Sequence, residues 1–353
     1  MYFVLRCAVA AALLVSAVNA AGKPLSTVNQ VITLVRAELA AKKSDKQIVK
    51  DLSKLTLGER LEPVVVEHLE SEGAGPQTVE ELEQLALATE DRAAPTPPPA
   101  FPHPPFPTTA EQQAAINHAG AYARSYAANL PDFLCDETVV RYEDLRASGV
   151  WQKRDALGIR LSYGEKAEDE RLVTYNGRPT TASLREYGGA IIQGEFGSLM
   201  IQILDPTSHG KFHWDHWTLL RNHLVGVYSY RIEARDSQYH LVFGQGFDHE
   251  ETTPAMEGFL YLDGETNDIV RIFNRAADIP PTFAVRQAIN RVDYAPQAVG
   301  DKRYVLPLRS ESRMAARDIR TRNLTEFGGY RKFEGKSSIS FGDAEPDPPK
   351  IKH

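Results

Sequence analysis

The residues best suited to chemistry are gathered in the run His209-Gly-Lys-Phe-His213-Trp-Asp-His216, with His223 shortly after it. The apolar and aromatic residues between 213 and 220 recur at a spacing that predicts a helix. On a helix His213 and His216, three apart, face the same way, and His209 enters from the preceding turn. Three neutral imidazoles can hold zinc or copper. A catalytic metal also needs an open coordination position, a general base, and hydrogen-bonded partners that fix each ring. The sequence identifies none of these, and Phe212, Trp214 and Trp217 in the same run are core-type residues. A metal-dependent enzyme built on His209, His213 and His216 is therefore the alternative reading, and no cofactor is expected.

The other candidates point away from catalysis. Gly73-Ala-Gly75-Pro lies between two apolar segments and resembles a helix-hairpin-helix turn, whose backbone N–H groups can meet a phosphate. Here Glu67, Glu70, Glu72, Glu80, Glu81 and Glu83 surround it, and they repel a nucleic-acid backbone. A tight turn between packed helices is the reading, and no nucleic-acid partner is expected. Cys135 sits between Leu134 and Asp136 with no histidine placed beside it, so a buried, inert thiol is expected. Nucleophile elbows, phosphate loops and dinucleotide fingerprints are absent. Arg309, Arg313, Arg317, Arg320 and Arg322, with Arg331 and Lys332 after them, either form a positive patch for lipid headgroups, wall polymers or an acidic partner, or solvate the outer face of a sheet.

The elements that must carry these residues change character along the chain. Val31, Ile32, Val35 and Leu39 mark one face of a first helix. Ser44 and Gln47 form a capping box ahead of a second, and Pro63 can open a third. Val79, Leu82, Leu85 and Ala86 mark a fourth. Helices this short bury their stripes only together, so residues 21–92 read as a small helical bundle. Residues 93–109 are rich in proline and read as a polyproline II spacer, able to span about 50 Å if extended. A proline run with interleaved Phe101, His103 and Phe106 can alternatively serve as ligand for a grooved partner.

Thr108 and Glu111 cap a helix lined by Ala115, Ala119, Tyr122 and Tyr126. Beyond it, ten short segments rich in β-branched and aromatic residues predict an antiparallel sheet: 138–142, 158–163, 171–175, 224–234, 239–243, 258–262, 269–274, 291–294, 304–311 and 337–341. Asp263-Gly264 marks a hairpin turn, and 198–204 a further helix. Residues 110–342 thus form a helix-plus-sheet domain, and the proline-bearing tail 343–353 is expected to be disordered. The fold class is α+β.

The first twenty residues carry one early cation, Arg6, an apolar run from Cys7 to Val18, and a Val-Asn-Ala ending, which predicts a cleaved signal peptide. The run is too short to span a bilayer, and Cys7 stands at its start, directly after Arg6, rather than after it, which argues against a lipid anchor. After cleavage the only cysteine is Cys135, so no internal disulfide is available to the exported protein, periplasmic or secreted. A net charge of −7 gives no general reason to expect binding to nucleic acid or anionic lipid.

The stretch Glu257-Gly-Phe-Leu-Tyr-Leu-Asp-Gly-Glu-Thr-Asn-Asp-Ile-Val-Arg-Ile272 resembles the strand–turn–strand of periplasmic lipoprotein-carrier proteins and the related envelope-stress regulators. Tyr304-Val-Leu-Pro-Leu-Arg-Ser-Glu311 is similar to the strand that follows in those proteins. Through Leu130-Pro-Asp-Phe-Leu-Cys-Asp136 and Gly194-Glu-Phe-Gly-Ser198 the chain also resembles a group of exported soil-bacterial proteins of unassigned activity. The resemblance covers residues 130–342 and implies a curved half-barrel sheet with helices on its concave face, the face that takes acyl chains in the carriers. Carriers are typically single domains, whereas this chain adds a bundle and a spacer. The leading expectation is a non-enzymatic exported binding protein that holds a lipid or other apolar ligand, or an envelope protein partner, on a curved sheet. Phe196, Leu199, Ile203, Phe259, Tyr261 and Ile272 are the expected lining. A structural envelope protein with no ligand is the other alternative.

Overall fold

The structure is a computed structural model and describes residues 25–96, 103–146, 151–164, 167–187, 196–221, 223–245, 248–317 and 319–333. The leader 1–20, the prolines at 97–99 with Phe101, Gly194 and Glu195, the segment 337–341 and the tail 343–353 lie outside the described residues.

Seven helices are described: α1 (Val28–Ala40), α2 (Asp45–Leu52), α3 (Pro63–Ser71), α4 (Pro76–Ala88), α5 (Thr109–Asn129), α6 (Leu184–Tyr187) and α7 (Ser198–Leu204). The first strands are β1 (Phe133–Asp144), β2 (Gln152–Gly164), β3 (Ala167–Tyr175), β4 (Arg178–Pro179), β5 (Lys211–Leu220) and β6 (His223–Ile232). They are followed by β7 (Leu241–Gln245), β8 (Asp248–Thr252), β9 (Ala255–Asp263), β10 (Ile269–Ala277), β11 (Val285–Val299), β12 (Lys302–Ala316) and β13 (Ile319–Lys332). Eleven strands make one curved, unclosed sheet in the order β4-β3-β2-β1-β13-β12-β11-β10-β9-β6-β5, and β7 and β8 form a separate hairpin. The fold is α+β, as expected. Among the described residues no helix is long and apolar enough to cross a membrane.

The chain divides into two compact units. The first comprises the residues up to Ala119 with Lys211–Arg231 and Gly258–Val270. Its helices form where the apolar spacing predicts them, with Val28, Val31, Ile32, Val35, Ile48, Leu52, Val65, Leu69 and Leu82 in one buried cluster. The Thr27–Gln30 and Ser44–Gln47 capping boxes start α1 and α2, and Pro63 starts α3. Gly73 ends α3 with φ +107°, a conformation that costs glycine little. The helix-hairpin-helix-like turn follows. The first N–H groups of α4 are met by Asp45, whose carboxylate accepts from Gln77 N at 2.8 Å and Thr78 N at 2.9 Å. A Cβ at Gly75 would lie 2.5 Å from that carboxylate, so glycine permits the approach. The position a phosphate would take is filled by the chain's own anion. The four helices share this unit with β5 and β6, and α3 lies against β5.

The second unit comprises Gly120–Gly210, Ile232–Glu257 and the residues from Arg271 on. Its strands β3-β2-β1-β13-β12-β11 pair antiparallel in long registers. Aromatic rings fill one end. Phe133 stacks on Tyr163 at 5.1 Å and meets Phe196 at 5.5 Å and Tyr330 at 5.6 Å, while Phe196 meets Phe327 edge-on at 5.6 Å. Ladder positions on β11 to β13 carry buried ions. Asp293 accepts from Arg271 and Arg309, and Glu311 from Arg291 at 2.7 Å, Arg313 at 2.6 Å and Arg322 at 2.8 Å. Burial raises both carboxyl pKa values, but the adjacent guanidinium groups outweigh it and hold them far below the usual range.

One expectation is corrected. Residues 213–220 are a strand, not a helix. A bulge at Asp215 shifts the β5–β6 register, with Trp214 opposite Tyr228 but His216 opposite Val227. That extra residue brings Trp214 and Trp217 to one side and His213 and His216 to the other, so positions three apart share a face. The spacing that suggests a helical turn is produced by a bulged strand.

Candidate binding cavity

A cavity of about 50 Å³ lies in the second unit, lined by alternate residues of five neighbouring strands. They are Glu168 and Glu170 on β3, Leu157, Ile159 and Leu161 on β2, Glu137, Val139 and Arg141 on β1, Asn323 and Thr325 on β13, and Ser310 and Ser312 on β12. The registers put them on one face: Val139 is opposite Leu157 on one side and Thr325 on the other, and Thr325 is opposite Ser310. Leu184 of α6 and Phe196 complete the lining.

The cavity is two-sided in chemistry. Its β1–β2–β3 part is apolar, where Val139, Leu157, Ile159 and Leu172 form a buried cluster with Tyr175, Leu184 and Tyr187 packed on it. Its β12–β13 part is polar, with Ser310, Ser312, Asn323 and Thr325 in the lining. Between them Arg141 is held by Asp155 through two bonds of 2.6 Å, both side chains almost fully buried. A paired charge of this kind fixes the strand register and leaves Arg141 committed. Burial, with the charge of Glu170 adding to it, pushes the Glu168 carboxyl up to about 7, although the residue itself is exposed at the rim. Burial raises Glu170 as well. Helix α6 covers the apolar part. Tyr187 stacks on Tyr175 at 4.1 Å, its carbonyl accepts from Arg154 at 3.0 Å, and Ser183 with Glu186 caps the first turn.

Of the six residues expected to line a cavity, Phe196 does so. Leu199 and Ile203 are buried core residues of α7, and Ile272 is buried on β10. Phe259 is half-buried and Tyr261 buried on β9 of the first unit. Tyr261 Oη donates to Glu67 Oε1 at 2.6 Å. The histidines are dispersed in role. His209 Nδ1 lies 3.1 Å from Asp236 Oδ1 in the second unit, and His213 is exposed on β5. His216 is clamped between Glu67 Oε2 at 2.7 Å and Asp215 Oδ1 at 2.6 Å. Among the described residues no three His, Cys, Asp or Glu side chains are placed to hold a metal ion. Burial lowers the His216 pKa, but Glu67 and Asp215 outweigh it and raise it to about 9.

Of the five arginines, Arg313 and Arg322 lie in the buried Glu311 network, and Arg309 bonds Asp293. Arg317 sits 5.9 Å from the centre of the Phe243 ring, and Arg320 is half-buried opposite Asp144. Cys135 is fully buried beside Gly328, and burial pushes its thiol up to about 12.

Sequence reasoning did not find Glu137, Arg141, Asp155, Ser310, Ser312, Asn323 or Thr325. The one available signal was Arg141 two places from Val139 on a strand whose alternate residues are apolar, which marks a charge on an inward-facing position.

No family model matches the chain, and no curated protein does. Solved structures similar to the chain include two of envelope-type or unassigned proteins. One is an outer membrane lipoprotein-sorting protein domain from Vibrio parahaemolyticus, 10% identical, covering 64% of this chain and 95% of that one, with a TM-score of 0.32. The other is a DUF1329 family protein from Desulfovibrio piger, 9% identical, covering 65% and 96%, with a TM-score of 0.29.

Proposed function

We propose that the chain is an exported, non-enzymatic binding protein whose second unit takes a small amphipathic ligand, or the end of a larger one, against its sheet. The observation that carries this reading is the two-sided cavity. An apolar moiety fits against Val139, Leu157 and Ile159, and a polar group meets the hydroxyls of Ser312 and Thr325. Sites of this kind combine mostly apolar walls with a few placed polar groups. A volume of about 50 Å³ admits only a few waters, so a ligand of lipid size enters only if the cavity widens. Export is supported by the leader pattern of residues 1–20.

A dansyl-labelled fatty acid titrated into the mature protein tests this reading. Saturable one-to-one fluorescence enhancement is expected, lost in Ile159→Trp and weakened in Ser312→Ala. Equal binding by all three proteins places the ligand elsewhere. The aromatic cluster around Phe133 and Phe196 favours a second reading, a structural protein whose sheet is filled by its own rings, and absence of any saturable response supports that one.

A further inference from the structure

In the first unit, the segment His103-Pro-Pro-Phe-Pro107 lies on the side of β5 and β6 opposite His216. It repeats every three residues. The His103 and Phe106 rings stack at 4.9 Å and 11°, while Pro104 and Pro107 are the half-buried members. That is the three-residue period of polyproline II. Beneath it, Phe106 meets Trp214 at 6.4 Å, Trp214 meets Trp217 at 4.8 Å and Tyr228 at 5.2 Å, and Trp217 Nε1 donates to the Pro105 carbonyl at 3.1 Å. Both indoles rest on Gly226, where a Cβ would stand 3.0 Å from Trp214 and 3.3 Å from Trp217. An aromatic-lined face with an indole N–H on a proline carbonyl is a general way of reading proline-rich peptides.

We propose that Trp214, Trp217 and Tyr228 form a receptor for proline-rich peptide, occupied in cis by residues 103–107, so that a proline-rich segment of another polypeptide exchanges with the chain's own. The cis ligand is imperfect. Phe106 stays 62% exposed, and the buried Trp214 Nε1–H has no acceptor among the described residues. A tethered segment presents an effective concentration in the millimolar range, so an outside peptide competes weakly until the tether's prolines are changed.

The test uses the full mature chain and the synthetic peptide His-Pro-Pro-Phe-Pro-Thr-Thr, followed through the indole N–H resonances of its three tryptophans. In wild type the peptide is expected to move the Trp217 resonance only at millimolar concentration. In Pro104→Gly/Pro107→Gly it is expected to saturate at concentrations at least about tenfold lower. Trp217→Phe in that background keeps an aromatic ring, loses the indole donor and weakens binding, read through the Trp214 resonance, by about 2- to 12-fold. Trp214 and Trp217 resonances unmoved by millimolar peptide in the proline variant overturn the proposal, as does equal binding of a peptide with its prolines replaced by glycine. If the variant does not fold, the wild-type titration decides: a static Trp217 resonance at millimolar peptide overturns the proposal.

Discussion

Replacing His216 by glutamine should remove a pH dependence of stability that the wild-type protein shows between neutral and alkaline pH. His216 is 15% exposed, and Glu67 and Asp215 hold its pKa at about 9. Its unfolded value is about 6.5. The folded value is the higher one, so the stabilisation is fully present below about pH 6.5 and is lost as pH rises through 9. The difference of about 2.5 units, at about 1.36 kcal/mol each, sets an upper bound of about 3 kcal/mol. Other groups facing this site do not obscure the window. Tyr261 bonds Glu67, and burial lowers the His68 pKa below its ordinary value, away from the window of His216. Urea unfolding followed by circular dichroism at pH 6.5, 8 and 9.5 measures the effect. Wild type should lose most of the 3 kcal/mol across that series, and His216→Gln should lose little of it. Parallel curves for the two proteins would refute the reasoning, because the clamp would then leave the imidazole's proton affinity unchanged.

Asp293→Asn leaves Arg271, 2% exposed, without its carboxylate and should cost about 3–5 kcal/mol in urea unfolding; a loss under about 1 kcal/mol would mean water reaches the guanidinium. Gly197→Ala adds a methyl 2.6 Å from the Tyr126 ring at φ +116°, so its unfolding free energy should fall by about 1–3 kcal/mol, whereas an unchanged value would show that the Gly197 turn is not required. Cys135, fully buried with its thiol at about 12, should not react with a disulfide reagent at pH 8 until urea unfolds the chain; prompt labelling of folded protein contradicts its placement.

The helices and most strands were legible because their signals are local. Thr108–Glu111, Ser44–Gln47 and Pro63 mark helix starts through bonds made within a few residues. β13 carries no strand signal because its inward and ladder positions hold Arg322, Asn323 and Thr325 rather than an apolar alternation. Their partners, such as Glu311, lie on another strand and are fixed only by register. β5 mimics a helical turn because one bulged residue converts alternation into a spacing of three. The cavity followed the same division. Phe196 is legible as a large ring near a predicted helix, while Glu137 and the hydroxyls of β12 carry no local signal, because only strand register brings them to one face. The Trp217–Pro105 bond spans 112 residues, a separation no periodicity reports.

Native mass spectrometry of the mature protein, isolated from the periplasm of an expressing cell, tests the central claim most directly. The account predicts intact protein carrying one amphiphile-sized adduct, present in wild type and absent from Ile159→Trp. Bare protein in both, or an adduct that persists in Ile159→Trp, would contradict a binding role for the sheet cavity.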